Sequence, residues 1–216
     1  QQQKTQLGLS KTPQGFLAFT PLQAWKSQAT LANKTKLTAS FSVCFTACVN
    51  ASEWAFYDTA DTALIATTWH ATGTASARGF IFQHLKYANG ARVLRMQVKC
   101  RADTTGASYV DLPVSTFSDG KPHALVFCAA PDSSVSSDGN NGKIRAYVDG
   151  VLQASNDAYL AEVPEQNGKL LFLNSLGRLA RMCRFNFDVS AENAPYTLAD
   201  YTSGKVVPAA LNAPFS

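Results

Sequence analysis

The sequence predicts an all-β fold: a sandwich or jelly roll of two antiparallel sheets, with one short helix near its C-terminal end. Three observations carry this. Short strand-like runs recur along the 216 residues with turn signals between them. Two of these runs alternate apolar and polar residues strictly. Asp149-Gly150, set between Tyr147-Val148 and Val151-Leu152, is the strongest local hairpin signal in the chain.

The strands are expected at residues 15–19, 37–49, 63–69, 80–85, 93–100, 108–114, 124–129, 143–148, 151–155, 170–173 and 181–189. In the run 94–101, Leu94, Met96, Val98 and Cys100 are expected inward, and Arg95, Gln97, Lys99 and Arg101 outward. In 182–189 the same rule sends Cys183, Phe185, Phe187 and Val189 inward, and Arg184, Asn186 and Asp188 outward. The core between the sheets is therefore expected to contain Leu94, Met96, Val98, Cys128, Ile144, Val148, Phe185 and Phe187. A short helix is expected at 198–203, with Thr197 as N-cap, Asp200 three residues on, and Gly204 as its stop. A single domain over 1–205 and a linker or tail over 206–216 complete the expected organisation, and the opening Gln1-Gln2-Gln3 reads as a processed or excised piece of a longer chain.

Charged residues make up 16% of the chain, sparser than the roughly 25% of an average soluble domain. The net charge of +4 is mild, and no basic cluster is denser than that between Arg95 and Arg101, so nucleic acid is not an expected partner. No apolar run approaches the ~18 residues of a membrane span, so membrane insertion is not expected either. The five cysteines are Cys44, Cys48, Cys100, Cys128 and Cys183. Along a strand, Cys44 and Cys48 stand about 13 Å apart, too far to bridge each other. None of the spacings fits zinc. Buried free thiols are the expected state, pointing to assembly in a reducing cytosol. No cofactor or metal motif is present.

Asp119-Gly120-Lys121-Pro122-His123 followed by an apolar run, and the later Tyr147-Val148-Asp149-Gly150-Val151, resemble the laminin-G-like branch of the concanavalin A-like lectin/glucanase superfamily. The resemblance covers roughly residues 41–205 and implies a β-sandwich in which His123 packs within the sandwich. That superfamily includes lectins, glycosidases and structural modules, so the fold leaves activity open. The closing segment, residues 181–205, is similar to that of tail-fibre and other surface proteins of bacteriophages and gut bacteria. It implies a virion or bacterial-surface setting.

Glycosidases of the superfamily need two carboxylates sharing a strand face. The acidic pairs here, Asp58 with Asp61 and Glu162 with Glu165, read as loop residues, so no catalytic residue is expected. Two surfaces are candidates for binding. One is the aromatic loop at 50–58, with Trp54, Tyr57 and Asp58, joined by Trp69 and His70; its aromatics offer flat faces for sugar C–H groups, or else they plug the end of the sandwich. The other is the outward row Arg95, Lys99 and Arg101, extended by Lys143, Arg145 and Arg184; it meets acidic glycans or phosphate, or is a solvated sheet face. The expected function is a non-catalytic recognition module for a glycan or host-surface ligand. The alternatives are an architectural module contacting sister subunits and, third, a divergent glycosidase.

Overall fold

Strands with one apolar face must bury it, and here two such sheets bury theirs against each other. The structure, a computed structural model, describes residues 9–11, 17–19, 27–30, 37–57, 61–67, 78–100, 107–136, 139–163, 169–172 and 177–206. The strands are β1 (Leu9–Lys11), β2 (Leu17–Phe19), β3 (Ser27–Thr30), β4 (Phe41–Asn50), β5 (Asp61–Thr67), β6 (Gly79–Lys86), β7 (Arg92–Lys99), β8 (Ser108–Pro113), β9 (Asp119–Pro131), β10 (Gly142–Val148), β11 (Val151–Ala158), β12 (Lys169–Phe172) and β13 (Arg178–Phe185). Among the described residues they form a seven-stranded sheet, ordered β1-β2-β13-β4-β9-β10-β11, and a six-stranded sheet, ordered β3-β12-β5-β6-β7-β8. The described pairings are antiparallel. The two-sheet sandwich expected from the sequence is the fold observed, with β1 and β3 as strands the sequence reading did not anticipate.

The hairpin at Asp149-Gly150 is a two-residue turn closed by Val148 opposite Val151. Asp149 has φ of 51° and Gly150 of 83°, the pair of positive angles that a type I′ turn requires. Asp119-Gly120 belongs to the start of β9 instead of forming a separate turn. Gly120 has φ of +81°, and a Cβ there would run into Asn50 Oδ1. Only glycine fits that position. The helix α1 (Leu198–Thr202) has its expected cap: Thr197 Oγ1 accepts from Asp200 N at 3.1 Å, and Asp200 Oδ2 accepts from Thr197 N at 3.0 Å.

Between the sheets the aromatic centre is Phe45, Phe82 and Phe127. Phe82 meets Phe127 edge-on at 4.9 Å and Phe45 edge-on at 5.3 Å. Leu94, Met96, Val98, Ile144 and Val148 lie in this core as expected.

Cys128, Phe185 and Phe187 do not. They belong to a second apolar layer on the outer side of the seven-stranded sheet, with Cys44, Val126, Cys183, Val189, Tyr196 and Tyr201. Two causes explain the correction. β9 is apolar at every position from Ala124 to Ala129, so its alternation could not show which set faces which layer. In β13 the register shifts between Ala180 and Cys183, with Arg181 in the left-handed region at φ 53°. A one-residue irregularity reverses the facing of all that follows. Leu179 packs inward, but Cys183 and Phe185 point outward. Arg184, expected outward, pairs in register with the inward Val43 and is 4% exposed. The outer layer is roofed by residues 186–205. Ser42 Oγ donates to Phe187 O at 2.8 Å and accepts from Val189 N at 3.0 Å, and Tyr201 Oη donates to Arg181 O at 3.0 Å.

Candidate functional site

Of the aromatic surface, Trp54 and Tyr57 do not form an exposed platform. Residues 51–56 coil into a 3-10 turn, started by Glu53, whose Oε2 accepts from Asn50 N at 2.6 Å. This drives Trp54 into the open end of the sandwich, where it is 2% exposed and its Nε1 donates to Ser118 Oγ at 2.7 Å. Tyr57 is buried beside it. Burial of large apolar surface outweighs presentation to a ligand, so Trp54 and Tyr57 plug the sandwich. Asp58, Trp69, His70 and Arg101 lie outside the described residues.

The basic row also dissolves into separate environments. Arg145 and Lys143 stand on β10, in the other sheet from Arg95. Arg145 Nη2 pairs with Asp132 Oδ2 at 2.8 Å, and Lys143 with Asp157 at 3.8 Å. Arg184 is buried. Lys99 is partly exposed on β7, two steps beyond Gln97 on the parity that places Arg95 outward.

Arg95 stands at the centre of a solvent-facing polar and aromatic cluster. It stands mid-strand on β7, opposite Asp111 of β8 and Gln83 of β6 on the outer face of the six-stranded sheet. Arg95 Nε donates to Asp111 Oδ1 at 2.7 Å, and Nη2 donates to Asp111 Oδ2 at 2.8 Å. Tyr87, in the β6–β7 turn, donates its hydroxyl to the same Oδ2 at 2.6 Å and accepts from Arg95 Nη2 at 3.3 Å. The guanidinium carbon lies 3.7 Å from the centre of the Tyr109 ring. Partial burial works to raise the Asp111 carboxyl, but the hydrogen bonds from Arg95 and Tyr87 outweigh it and hold it below the usual carboxylate range. The bond to Asp111 raises the Arg95 guanidinium further. Both ions therefore stay charged, and as a pair they are neutral.

Tyr87 and Tyr109 remain 41% and 39% exposed. The cluster thus offers two aromatic rings around a fixed ion pair. The seam to the other sheet runs alongside, where Asn156 Nδ2 of β11 donates to Tyr109 O at 2.9 Å. Tyr87, Tyr109 and Asp111 were missed in sequence. The alternation Tyr109-Val110-Asp111-Leu112 was legible, but its register against Arg95 depends on pairing across a long β7–β8 connection.

His123 differs in placement from what the resemblance implies. His123 lies at the rim, between two aspartates: Nδ1 is 2.6 Å from Asp149 Oδ2, and Nε2 is 2.8 Å from Asp119 Oδ1. The Asp-Gly-x-x-His and Val-Asp-Gly stretches thus meet in one ionic clasp. Burial works to lower the imidazole, but the bonds to Asp149 and Asp119 prevail and raise it. His84 is fully buried, stacked at 4.9 Å on Trp54. Arg92 Nη1, which can only donate, lies 3.3 Å from its Nε2, so the ring is neutral with its proton on Nδ1. Burial, with Arg92 and Lys86 adding to it, lowers His84 to about 4.

A recess of about 280 Å³ lies between β13 and α1, lined by Arg181, Met182, Tyr201 and Lys205 among others. Its polar groups serve the local fold: Arg181 Nη2 donates to Tyr201 O at 3.0 Å, and Lys205 pairs with Asp200 at 3.0 Å. Among the described residues, no group of three or more His, Cys, Asp or Glu is arranged to hold a metal, and no helix is long and apolar enough to cross a membrane.

No protein-family model matches the chain, and no curated protein matches it in sequence. The fold does have solved counterparts. The receptor binding domain of botulinum neurotoxin D superposes with a TM-score of 0.57 at 13% identity, over 91% of this chain and 46% of that one. This chain therefore spans about half the length of that domain. A heptameric SAP-like pentraxin from Limulus polyphemus gives a TM-score of 0.51 at 12% identity, over 84% of this chain and 85% of that one. The enzymatically active domain of tailspike protein 2 from bacteriophage CBA120 gives 0.56 at 14% identity, over 96% of this chain and 31% of that one. At these identities the likeness is one of fold.

Proposed function

We propose that this chain is a non-catalytic recognition module that binds a glycan or another host-surface ligand, within a phage virion or a bacterial surface protein. The observation that carries the reading is the solvent-facing cluster Tyr87–Asp111–Arg95–Tyr109 on the outer face of the six-stranded sheet. Aromatic rings beside prearranged polar groups suit a ligand with apolar C–H faces and hydroxyl edges. The structural neighbours support the setting: one receptor-binding domain was solved with N-acetylneuraminic acid, and a phage tailspike shares the fold. Buried free thiols fit assembly in a reducing compartment.

Lys99 is kept in the proposed surface on its parity with Arg95. The Asp58, Trp69, His70 and Arg101 proposals stand on sequence alone. Glycan-array binding by the whole chain, repeated with Tyr109→Ala, tests the reading. Binding that drops about tenfold in the variant supports it, since a lost ring contact is worth ~1–3 kcal/mol. Array binding that Tyr109→Ala leaves unchanged places the site elsewhere.

An architectural role is the second reading. Val151 and Leu152 are 60% and 50% exposed on β11, an edge strand of the seven-stranded sheet. An apolar edge of this kind suits contact with a sister subunit. Sedimentation of the chain against Leu152→Lys tests it: a concentration-dependent oligomer lost in the variant favours this reading. A divergent glycosidase is tested by release of reducing sugar.

A further inference from the structure

We infer that Cys44 and Cys183 form a peroxide-responsive thiol pair, in which Cys183 is the thiol attacked and Cys44 resolves it into a disulfide. The pair acts independently of any ligand that the module binds.

The two cysteines stand directly opposite each other on β4 and β13, and both point into the outer layer under residues 186–205. An unbroken ladder from Ala180 opposite Thr46 would set Met182 opposite Cys44. The register shift after Ala180 sets Cys183 there instead. Opposed residues of an antiparallel pair have Cα atoms about 4.5–5.5 Å apart, inside the roughly 4.4–6.8 Å that a disulfide spans. The two thiols are hydrogen-bonded to each other. The remaining cysteines are placed differently. Cys128 is opposite Ser42 on the ladder and has the side chains of Ser42 and Asp188 as its neighbours. Cys48 Sγ donates to Gly120 O at 3.1 Å, and Cys100 lies in the core between the sheets.

Access assigns the two roles. Cys183 lines the recess of about 280 Å³ between β13 and α1. Hydrogen peroxide is little larger than water, which occupies about 30 Å³ in the liquid, so the recess has room for it. Cys44 is fully buried, and burial keeps its thiol protonated near neutrality. The Cys183 sulfur attacks one peroxide oxygen, and the O–O bond breaks. The departing hydroxide takes the Cys183 proton and leaves as water, and Cys183 becomes a sulfenic acid. The Cys44 sulfur then attacks the sulfenic sulfur. An S–S bond forms, the S–O bond breaks, and the hydroxyl leaves with the Cys44 proton as a second water. Two thiols and one peroxide thus give one disulfide and two waters. The product ties β13 to β4 covalently beneath the roofing segment.

The test treats the whole folded chain with hydrogen peroxide, denatures it without reductant, counts its thiols and maps cross-linked peptides by mass spectrometry. The chain is expected to lose two of its five free thiols, with Cys44 joined to Cys183 within one molecule, and dithiothreitol should restore both. In Cys44→Ser, dimedone should trap a sulfenic acid on Cys183, because the resolving thiol is gone. Cys128→Ala should leave the linkage in place. Retention of all five thiols overturns the inference. So does a disulfide from Cys128 to either cysteine, a disulfide between chains, or Cys183 oxidised to the sulfinic acid with Cys44 left free. The wild-type peptide map decides among these outcomes even where a variant fails to fold.

Discussion

On the outer face of the seven-stranded sheet, Cys44, Val126, Cys128, Cys183 and Phe185 lie under Val189, Tyr196 and Tyr201 of the chain's own C-terminal segment. On the outer face of the six-stranded sheet, Gln83, Arg95, Gln97, Tyr109 and Asp111 keep contact with solvent. The first face became a second core, because its strands offer apolar side chains on both sides and something had to cover them. The second face carries polar and aromatic side chains tied to one another, and no described segment crosses it. One face is sealed by the chain itself; the other is open to solvent.

The largest expected effect breaks the sealed face. Phe185 meets Phe187 at 5.0 Å and Tyr196 at 5.5 Å. Phe185→Ala should cost about 3–5 kcal/mol in chemical denaturation, as for a core residue. Arg95→Ala and Tyr109→Ala should each cost roughly 1 kcal/mol or less, since an ion pair and a ring at partial exposure are screened by solvent. Equal costs at the two faces would erase the distinction between them.

The two histidines repeat the contrast of sealed against open, and pH separates them. For His84, the folded value of about 4 lies below the ordinary 6.5, so the unfolded chain binds the proton first as pH falls. Stability is full above pH 6.5 and declines towards pH 4, by roughly 3 kcal/mol for a shift of this size. His84→Phe, which keeps an aromatic ring against Trp54, should flatten that acid limb in denaturant titrations at successive pH values. His123 runs the other way. Its folded value is raised, so its contribution is full below pH 6.5 and fades as pH rises through the folded value. The stability difference between wild type and His123→Gln should accordingly shrink from pH 6 towards alkaline pH. A difference that grows instead would show the ring to be held neutral between Asp119 and Asp149.

The smallest effect sharpens the picture of the seal. All five cysteines are free and buried. Burial pushes the Cys44 thiol well above its ordinary range and Cys128 to about 12, so neither supplies a reactive thiolate near neutrality. The denatured, unreduced protein should titrate five thiols, and the native protein should react far more slowly. Prompt labelling of Cys44 or Cys128 in the native chain would mean that residues 186–205 open readily.

Much of this was legible in the sequence. The Asp149-Gly150 turn, the alternation from Leu94 to Cys100 and the Thr197–Asp200 cap are local devices, decided by residues within a few positions of one another, and each stands as expected. Arg95 was also correctly placed facing outward. What its neighbours would be was a matter of strand pairing. Asp111 and Tyr109 lie on β8, and only the register brings a carboxylate and an aromatic ring to the guanidinium of Arg95. The facing of Phe185 depended on an irregularity at Arg181 that alternation cannot reveal, and the facing of Cys128 on an all-apolar strand with no alternation to read. The sequence leaned towards Trp54 plugging the core over facing a ligand, because large aromatics are mostly buried; the space at the sandwich end and the hydroxyl of Ser118 decided it. Local chemistry thus set the strands, turns and helix. Long-range packing, where buried area and hydrogen-bond partners come from distant residues, decided which face was sealed and which was left open to solvent.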